Sequence, residues 1–148
     1  MKIVVDTNVA LSGLLWGGPP NRLLKWAREG VLRILACEET TAELRHALIY
    51  KKFSKRITAL EATPDEVFAY YMNLVLFVPS PRNIPEKIAK DPFDNLFLGL
   101  ASENKARLIV SGDKHLLDLK QFLRIQIVTP SEACEVIETL IKSGVPHR

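Results

Sequence analysis

The chain begins with the segment KIVVDTN at residues 2–8, and this segment predicts both a class of fold and the position of a site. Its β-branched run, Ile3 to Val5, is typical of a short buried parallel strand. Asp6 follows the run directly. A carboxylate at the end of a buried strand must be solvated, paired or bound to a metal, because an isolated buried charge is unfavourable. An Asp before Thr-Asn can also cap a turn or a helix, so Asp6 alone is compatible with a structural role as well.

Strand and helix patterns alternate along the rest of the chain. Further strands are predicted at residues 31–36, 74–78, 107–110 and 125–128, and helices at residues 21–29, 39–50, 63–73, 91–104, 115–119 and from 129 onward. The segments TPDE and TPSE, at residues 63–66 and 129–132, are typical helix starts. Alternation with short connections predicts an α/β fold in which helices cover both faces of a parallel sheet. No repeat or second domain is evident, so we expect one domain over residues 1–148.

Composition narrows the class of protein. The chain has 148 residues, of which 47% are hydrophobic and 25% charged, and a net charge of +3. These values suit a single soluble domain and permit a polyanionic partner. The two cysteines, Cys37 and Cys134, stand in no metal-binding spacing, which argues against zinc. No apolar run approaches the roughly 18 residues of a membrane span, and the early first strand leaves no room for a signal peptide, so a cytoplasmic location is expected.

A second acid occupies a position like that of Asp6. Asp113, in the segment Ser111-Gly112-Asp113, follows the predicted strand at residues 107–110. Ser-Gly-Asp is also common turn chemistry. Because ligands of parallel sheets bind beyond the carboxyl ends of the strands, the matching placement of Asp6 and Asp113 favours one shared cleft.

Two further acids have structural explanations beside the functional one. Asp91 begins a predicted helix and is interpreted mainly as its cap, whereas Asp94 lies in the first turn on the same face and is the better candidate ligand. Glu43 ends the segment TTAE at residues 40–43, which is a capping box if the helix begins there. If the helix begins near Cys37, Glu43 lies inside it and can face a cleft. The residues alone leave these two interpretations of Glu43 open.

Other features have ordinary interpretations. Four cations, Lys51, Lys52, Lys55 and Arg56, form a basic run that is interpreted as a solvated face, although it could also contact a polyanion. Trp16 and Trp26 are interpreted as core or interface residues rather than as a platform for stacking bases.

Taken together, these segments resemble the PIN-domain ribonucleases. The resemblance rests on Asp6-Thr7-Asn8 after the first strand, Glu43 within Ala-Glu-Leu, Asp94 within DPFDNLFLGLA at residues 91–101, and Asp113 within Ser-Gly-Asp. It extends from residue 1 to about residue 141. The pattern is most similar to the single-domain PIN proteins described as toxins of toxin–antitoxin pairs, the VapC-like group.

The resemblance implies a three-layer α/β/α sandwich with a mainly parallel central sheet, and Mg²⁺- or Mn²⁺-dependent cleavage of single-stranded RNA. It assigns catalysis and metal binding to four acids, Asp6, Glu43, Asp94 and Asp113. It assigns supporting hydroxyl or amide groups to Thr7, Asn8 and Ser111, and Asp91 is a further candidate for the site. The partners that it implies are single-stranded RNA, a small antitoxin protein and a second copy of the chain in a homodimer.

Other classes fit the residues less well. A phosphatase similar to the haloacid dehalogenases would carry a second acid two residues after the first, where this chain has Asn8. A response-regulator-like module would need an Asp after a middle strand, and the strand predicted at residues 31–36 is followed by Cys37-Glu38-Glu39. The alternative functions are a PIN-fold scaffold without activity and a metal-dependent phosphoryl-transfer enzyme with an unrelated substrate.

Overall fold

The apolar runs predicted to be strands form one sheet in the computed structural model, which describes residues 1–86 and 91–144. Its strands are β1 (Lys2–Val5), β2 (Arg33–Ala36), β3 (Val75–Phe77), β4 (Leu108–Val110), β5 (Gln121–Phe122) and β6 (Ile125–Val128). The spatial order is β3-β2-β1-β4-β6-β5. All pairings are parallel except that of β5 with β6, which is antiparallel. The expected domain of residues 1–148 includes residues 87–90 and 145–148, which lie outside the described part.

Helices fill the connections between the parallel strands. They are α1 (Thr7–Leu15), α2 (Pro19–Arg28), α3 (Glu38–Leu48), α4 (Lys51–Ala59), α5 (Pro64–Leu74), α6 (Pro92–Glu103), α7 (Lys114–Leu117) and α8 (Pro130–Lys142). Both predicted Thr-Pro-x-Glu helix starts form capping boxes. The Thr63 hydroxyl accepts from the Glu66 N–H at 3.2 Å, while the Glu66 carboxylate accepts from the Thr63 N–H at 3.0 Å, and Thr129 and Glu132 repeat this arrangement. In residues 1–86 and 91–144, no helix is both long and apolar enough to cross a membrane.

Two apolar clusters lie on opposite faces of the sheet. Side chains alternate along β1, so Ile3 and Val5 join one cluster and Val4 joins the other. The first cluster includes residues of α1, α2, α3, α4, α5 and α8, and the second includes residues of α6 and α7. The predicted three-layer α/β/α sandwich with a mainly parallel sheet is therefore confirmed.

The sequence pattern predicts no helix at residues 7–15, where the structure has α1. Buried residues occur around much of this helix and include Val9, Leu11, Gly13 and Leu15, so the one-sided periodicity that marks a surface helix is absent. Gly13 is at the closest approach of α1 and α2, since a Cβ there would lie 2.8 Å from the Pro20 carbonyl oxygen. Helix α1 is thus stabilised mainly by its packing in the core, and its hydrophobic periodicity does not predict it.

The short strand β5 is also absent from the predicted elements. The two-residue turn between β5 and β6 consists of Leu123 and Arg124, with φ angles of 47° and 69°. Positive φ angles in such a turn are usually supplied by Gly, Asn or Asp, so this sequence carries no hairpin signal. The hairpin adds the antiparallel edge of the sheet and lies at the far end of the sheet from β3.

Candidate active site

The strand order reverses between β1 and β4. From β1 the sheet extends through β2 to β3 on one side, and through β4 to β6 and β5 on the other. In parallel sheets such a switch point, beyond the carboxyl ends of the strands, is where ligands bind. The two strand ends adjoin here, because the Asp6 N–H donates to the Val110 carbonyl oxygen at 3.0 Å.

Asp6 is the N-cap of α1. Its Oδ1 accepts from the Val9 N–H at 2.8 Å, and its Oδ2 accepts from the Ser111 hydroxyl. The side chain is only 7% exposed. Burial raises the pKa of Asp6, whereas the hydrogen bonds from Ser111 and the backbone lower it in part. Asp6 therefore caps a helix, the structural role considered from sequence. Its carboxylate also lies beyond the carboxyl end of β1, beside the switch point.

Ser111 links the first acid to the last. Its hydroxyl donates to Asp6 and accepts from the Asp113 N–H at 2.9 Å, and the residue has no exposed surface. Asp113 is in turn the N-cap of α7, where its Oδ1 accepts from the His115 N–H at 2.8 Å. Because Asp113 is held to Ser111 and caps a helix, its carboxylate has a defined position near Asp6.

Asp94 carries a buried carboxylate with one unsatisfied oxygen. It lies in the first turn of α6 and is 7% exposed. Its Oδ2 is, among the described residues, the one buried side-chain oxygen or nitrogen without a hydrogen-bond partner. Burial and the charges of Asp113, Asp91 and Asp6 raise the pKa of Asp94 to about 6. A buried acid in this condition is suited to a cation.

Asp91 has the structural role that the sequence predicts. It is the N-cap of α6, and its Oδ1 accepts from the Phe93 N–H at 2.9 Å. Its side chain is exposed and contributes to the lining of the same cleft. From this exposed position, the charge of Asp91 helps to raise the pKa of Asp94.

Glu43 lies inside its helix, which decides between the two interpretations. Helix α3 begins at Glu38 after the N-cap Cys37, and the residue that bonds back to the Cys37 N–H is Thr40, at 3.0 Å. The interpretation of Glu43 as the helix cap is therefore wrong. Its half-buried carboxylate instead accepts from the Thr7 hydroxyl, which joins α3 to the start of α1.

The four predicted acids meet in one cleft of about 210 Å³. The cleft is also lined by Thr7, Asn8 and Asp91, and Ser111 lies beneath it, hydrogen-bonded to Asp6. Asp6 and Asp113 reach it from strand ends, while Glu43 and Asp94 reach it from helices on opposite faces of the sheet. Every residue selected from the sequence thus lies in or directly behind this cleft.

Several residues of the cleft carry no signal in the sequence. One wall contains Tyr50, Lys52 and Phe53, and the apolar remainder consists of Leu11, Ala47, Phe93 and Phe97. Tyr71 is buried near Asp6, and burial together with the charge of Asp6 raises its pKa above the ordinary value. Nothing in the spacing of these residues separates them from core or surface residues. The basic run at residues 51–56 was the nearest indication, since Lys52 belongs to it.

The carboxylates fit a hydrated divalent cation better than an enclosed one. In the described ranges, no three His, Cys, Asp or Glu side chains are grouped so that together they could hold a metal ion. Mg²⁺ does not need such a group, because it keeps several waters and binds through one or two carboxylates together with substrate phosphate. The unsatisfied Oδ2 of Asp94, beside other carboxylate oxygens, is a suitable donor for that kind of site.

A comparison with protein families identifies the domain. The PIN domain model matches residues 2–115, a segment that includes all four acids of the cleft. No curated protein matches the chain. The match covers most of the chain, and the resemblance to the PIN-domain family is confirmed. The chain therefore belongs to the PIN domain family, whose fold is of the nuclease type.

Proposed function

We propose that this protein is a metal-dependent endoribonuclease that cleaves single-stranded RNA with Mg²⁺ or Mn²⁺. The observation that carries the proposal is the meeting of Asp6, Glu43, Asp94 and Asp113 in one cleft, with one buried oxygen of Asp94 unsatisfied. Clustered carboxylates repel each other and would repel RNA, so a cleft of this kind needs a divalent cation to act on a phosphodiester.

The residues of the cleft have different roles in this proposal. Asp6, Asp94 and Asp113 would hold the cation, which supplies positive charge for the phosphate oxygens and lowers the pKa of water. The hydrogen bonds to Asp6 from Val9 and Ser111 keep its carboxylate in one orientation. Orientation of this kind matters because a misplaced group loses much of its effect on the reaction rate.

Glu43 is suited to proton transfer. It is half-buried, lines the cleft, and is oriented by the Thr7 hydroxyl. A carboxylate positioned in this way can accept the proton of the attacking water as a general base. Asn8 is exposed at the entrance and offers an amide that can donate to a phosphate oxygen.

The first test is cleavage of a labelled single-stranded RNA, with Mg²⁺ or Mn²⁺ and with EDTA. We expect cleavage only with metal, and we expect Asp6→Asn to reduce it by at least about 100-fold, the size of effect typical for loss of one essential catalytic group. Asn is as good a helix cap as Asp, so the fold should persist, as circular dichroism would show. Asp118→Asn is the matched control, because Asp118 is exposed and outside the cleft. Cleavage in EDTA, or full activity of Asp6→Asn, would contradict the proposal.

We further propose that this nuclease is the toxin of a toxin–antitoxin pair. It would act in the cytoplasm as a homodimer, and a small antitoxin protein would inhibit it. The support for this part is the resemblance of the sequence to toxins of the VapC-like group. We expect induced expression of the wild-type chain to arrest bacterial growth, and expression of Asp6→Asn to leave growth unchanged. Equal growth of the two strains at equal protein levels would argue against a toxin, and sedimentation would test the dimer.

A further inference from the structure

The carboxylate cleft has one wall of opposite character. Tyr50, at the junction of α3 and α4, lines the cleft together with Lys52 and Phe53 from the first turn of α4. The acids and this wall thus belong to one continuous surface. The wall carries the positive charge of Lys52, whereas the other charged residues that line the cleft are all acids.

The aromatic rings continue outward from the cleft. The Phe53 ring lies 6.4 Å from the Tyr50 ring, nearly parallel at 15°, and 6.2 Å from the Trp16 ring at 63°. We call these three residues, Trp16, Tyr50 and Phe53, the aromatic strip. Trp16 is 45% exposed and Tyr50 is 44% exposed. Phe53, between them, is half-buried and packs against the core. A single exposed aromatic residue needs no explanation, but neighbouring aromatic side chains exposed beside a cleft are typical of a binding surface.

Positive charges border the aromatic strip. The Lys52 Nζ lies 5.1 Å from the centre of the Phe53 ring, and the Arg56 guanidinium lies 5.9 Å from the centre of the Trp16 ring. Arg56 also donates to the Leu15 carbonyl oxygen, which holds Trp16 at the end of α1. Helix α4 contains four cations and no acid. With the residues that the structure describes, none of the four forms a salt bridge.

Both tryptophans were interpreted from sequence as core or interface residues. Trp16, at 45% exposure, is not a core residue, whereas Trp26, at 9% exposure, is buried. The basic run is likewise more than a solvated face, because Lys52 lines the cleft. Aromatic faces that stack planar groups, bordered by cations that contact phosphates, are how proteins bind single strands without reading their sequence. A duplex offers no free base faces, so it would not use such a surface.

We propose that the aromatic strip binds a segment of single-stranded RNA by stacking of its bases, while Lys52 and the neighbouring cations of α4 contact its phosphates. The adjoining phosphate of the same strand then lies at the carboxylates of the cleft. This inference rests on the proposed function, because it takes the carboxylate cleft as the place of cleavage. Two observations support the inference. The cations of α4 complement the negative charge of RNA, and the strip is continuous with the cleft.

A second copy of the chain suits this surface less well. In a symmetric dimer the same patch faces itself, so the four cations of α4 would be brought against each other. Like charges that meet in an interface are unfavourable by several kcal/mol. RNA instead supplies both the planar bases and the negative charge that the surface lacks.

The main experiment is the binding of a fluorescent 12-nucleotide oligouridylate in EDTA, where binding is measured apart from metal-dependent cleavage. We expect Tyr50→Ala to weaken binding by about 5- to 100-fold, the usual effect of removing one stacked ring. Tyr50→Phe keeps the ring and should bind as the wild type does. Tyr70→Ala is the matched control, since Tyr70 is 43% exposed but lies on α5 away from the cleft. Binding by Tyr50→Ala within twofold of the wild type would overturn the inference.

A second measurement needs no variant and decides the matter if Tyr50→Ala fails to fold. Tryptophan fluorescence of the wild-type protein should be quenched by the oligouridylate but not by an abasic sugar–phosphate strand of equal length. Because Trp26 is 9% exposed and Trp16 is 45% exposed, the quenching reports mainly on Trp16. Equal quenching by both strands, or by neither, would show that bases do not stack on the strip.

The outcomes separate this inference from the proposed function. Metal-dependent cleavage whose KM is unchanged in Tyr50→Ala would overturn the aromatic strip and leave the nuclease in place. Loss of binding in Tyr50→Ala, together with no cleavage by the wild type, would overturn the nuclease and support the strip. If sedimentation showed that Tyr50→Ala converts a dimer to a monomer without weakening RNA binding, the strip would be a dimer interface and the inference would fail.

Discussion

One carboxylate can cap a helix and line a cleft at the same time, and Asp6 does both. The Oδ1 of Asp6 accepts the capping hydrogen bond from the Val9 N–H, and its Oδ2 accepts from the Ser111 hydroxyl beneath the cleft. Asp113 divides its contacts in a similar way, capping α7 with Oδ1. A capping explanation for an acid at a strand end is therefore no argument against a site, since each carboxylate has two oxygens and several lone pairs.

Asp94 gives a prediction about pH. Its pKa is raised from 3.8 to about 6, so the folded protein holds this proton more tightly than the unfolded chain. Without metal, the resulting stability is present below about pH 4 and is lost as the pH rises through about 6. At pH 7 in EDTA, Asp94→Asn should therefore be more stable than the wild type, by on the order of 1–3 kcal/mol.

Urea unfolding at pH 4.5 and pH 7, in EDTA, checks this prediction. The pH dependence of the difference between wild type and Asp94→Asn isolates Asp94, because acids with lowered pKa values, such as Glu39 and Glu103, are the same in both proteins. A difference in unfolding free energy that does not change with pH would contradict the raised pKa.

At the scale of elements, helix starts bring the acids to the cleft. Asp6 caps α1 and Asp94 lies in the first turn of α6, so both lie beside the positive end of a helix dipole. Each such placement stabilises a negative charge by roughly 0.3–1 kcal/mol. The preference for acids at helix starts therefore also helps the fold to tolerate several carboxylates in one place.

The packing of α1 on α2 depends on Gly13. Ala is favoured over Gly in a helix by about 1 kcal/mol, but a Cβ at residue 13 would lie 2.8 Å from the backbone oxygen of Pro20. The backbone cannot move aside as the end of a side chain can. The cost of overpacking should therefore exceed the gain in helix propensity. We expect Gly13→Ala to lower the unfolding free energy by about 1–3 kcal/mol.

Thermal or urea unfolding tests this prediction, with Gly17→Ala as its control. A Cβ at Gly17 would have no atom within 4 Å, so that variant should stay within about 0.5 kcal/mol of the wild type. A Gly13→Ala protein as stable as the wild type would show that α1 and α2 can separate without loss.

For the whole molecule, metal binding should appear as stability. A cation that binds only the folded protein adds about 2.7 kcal/mol at a free concentration of 100 Kd. We therefore expect millimolar Mn²⁺ or Mg²⁺ to raise the melting temperature of the wild type at pH 7, because the cation relieves the mutual repulsion among the carboxylates. The increase should be largely lost in Asp94→Asn and retained in Asp118→Asn. No increase in the wild type would count against the metal site.

Sequence by itself determined the features whose causes are local. A β-branched run specifies a strand, a Thr-Pro-x-Glu segment specifies a helix start, and the alternation of the two specifies a sheet between helices. The order of the four acids along the chain was equally visible, and with it the resemblance to the PIN family. These inferences hold because the free energies involved arise between neighbours in the chain.

Tertiary structure decided what depends on contacts between distant segments. Asp6 meets Ser111 across 105 residues because β1 and β4 pair, and Glu43 faces the cleft because α3 begins at Glu38 and receives a hydrogen bond from Thr7. Helix α1 and the aromatic strip had no local signal, since both owe their environment to the packing of other elements around them. Sequence determined which groups the chain carries, and packing determined which of them meet, because burial and proximity are properties of the assembled layers and of no single segment.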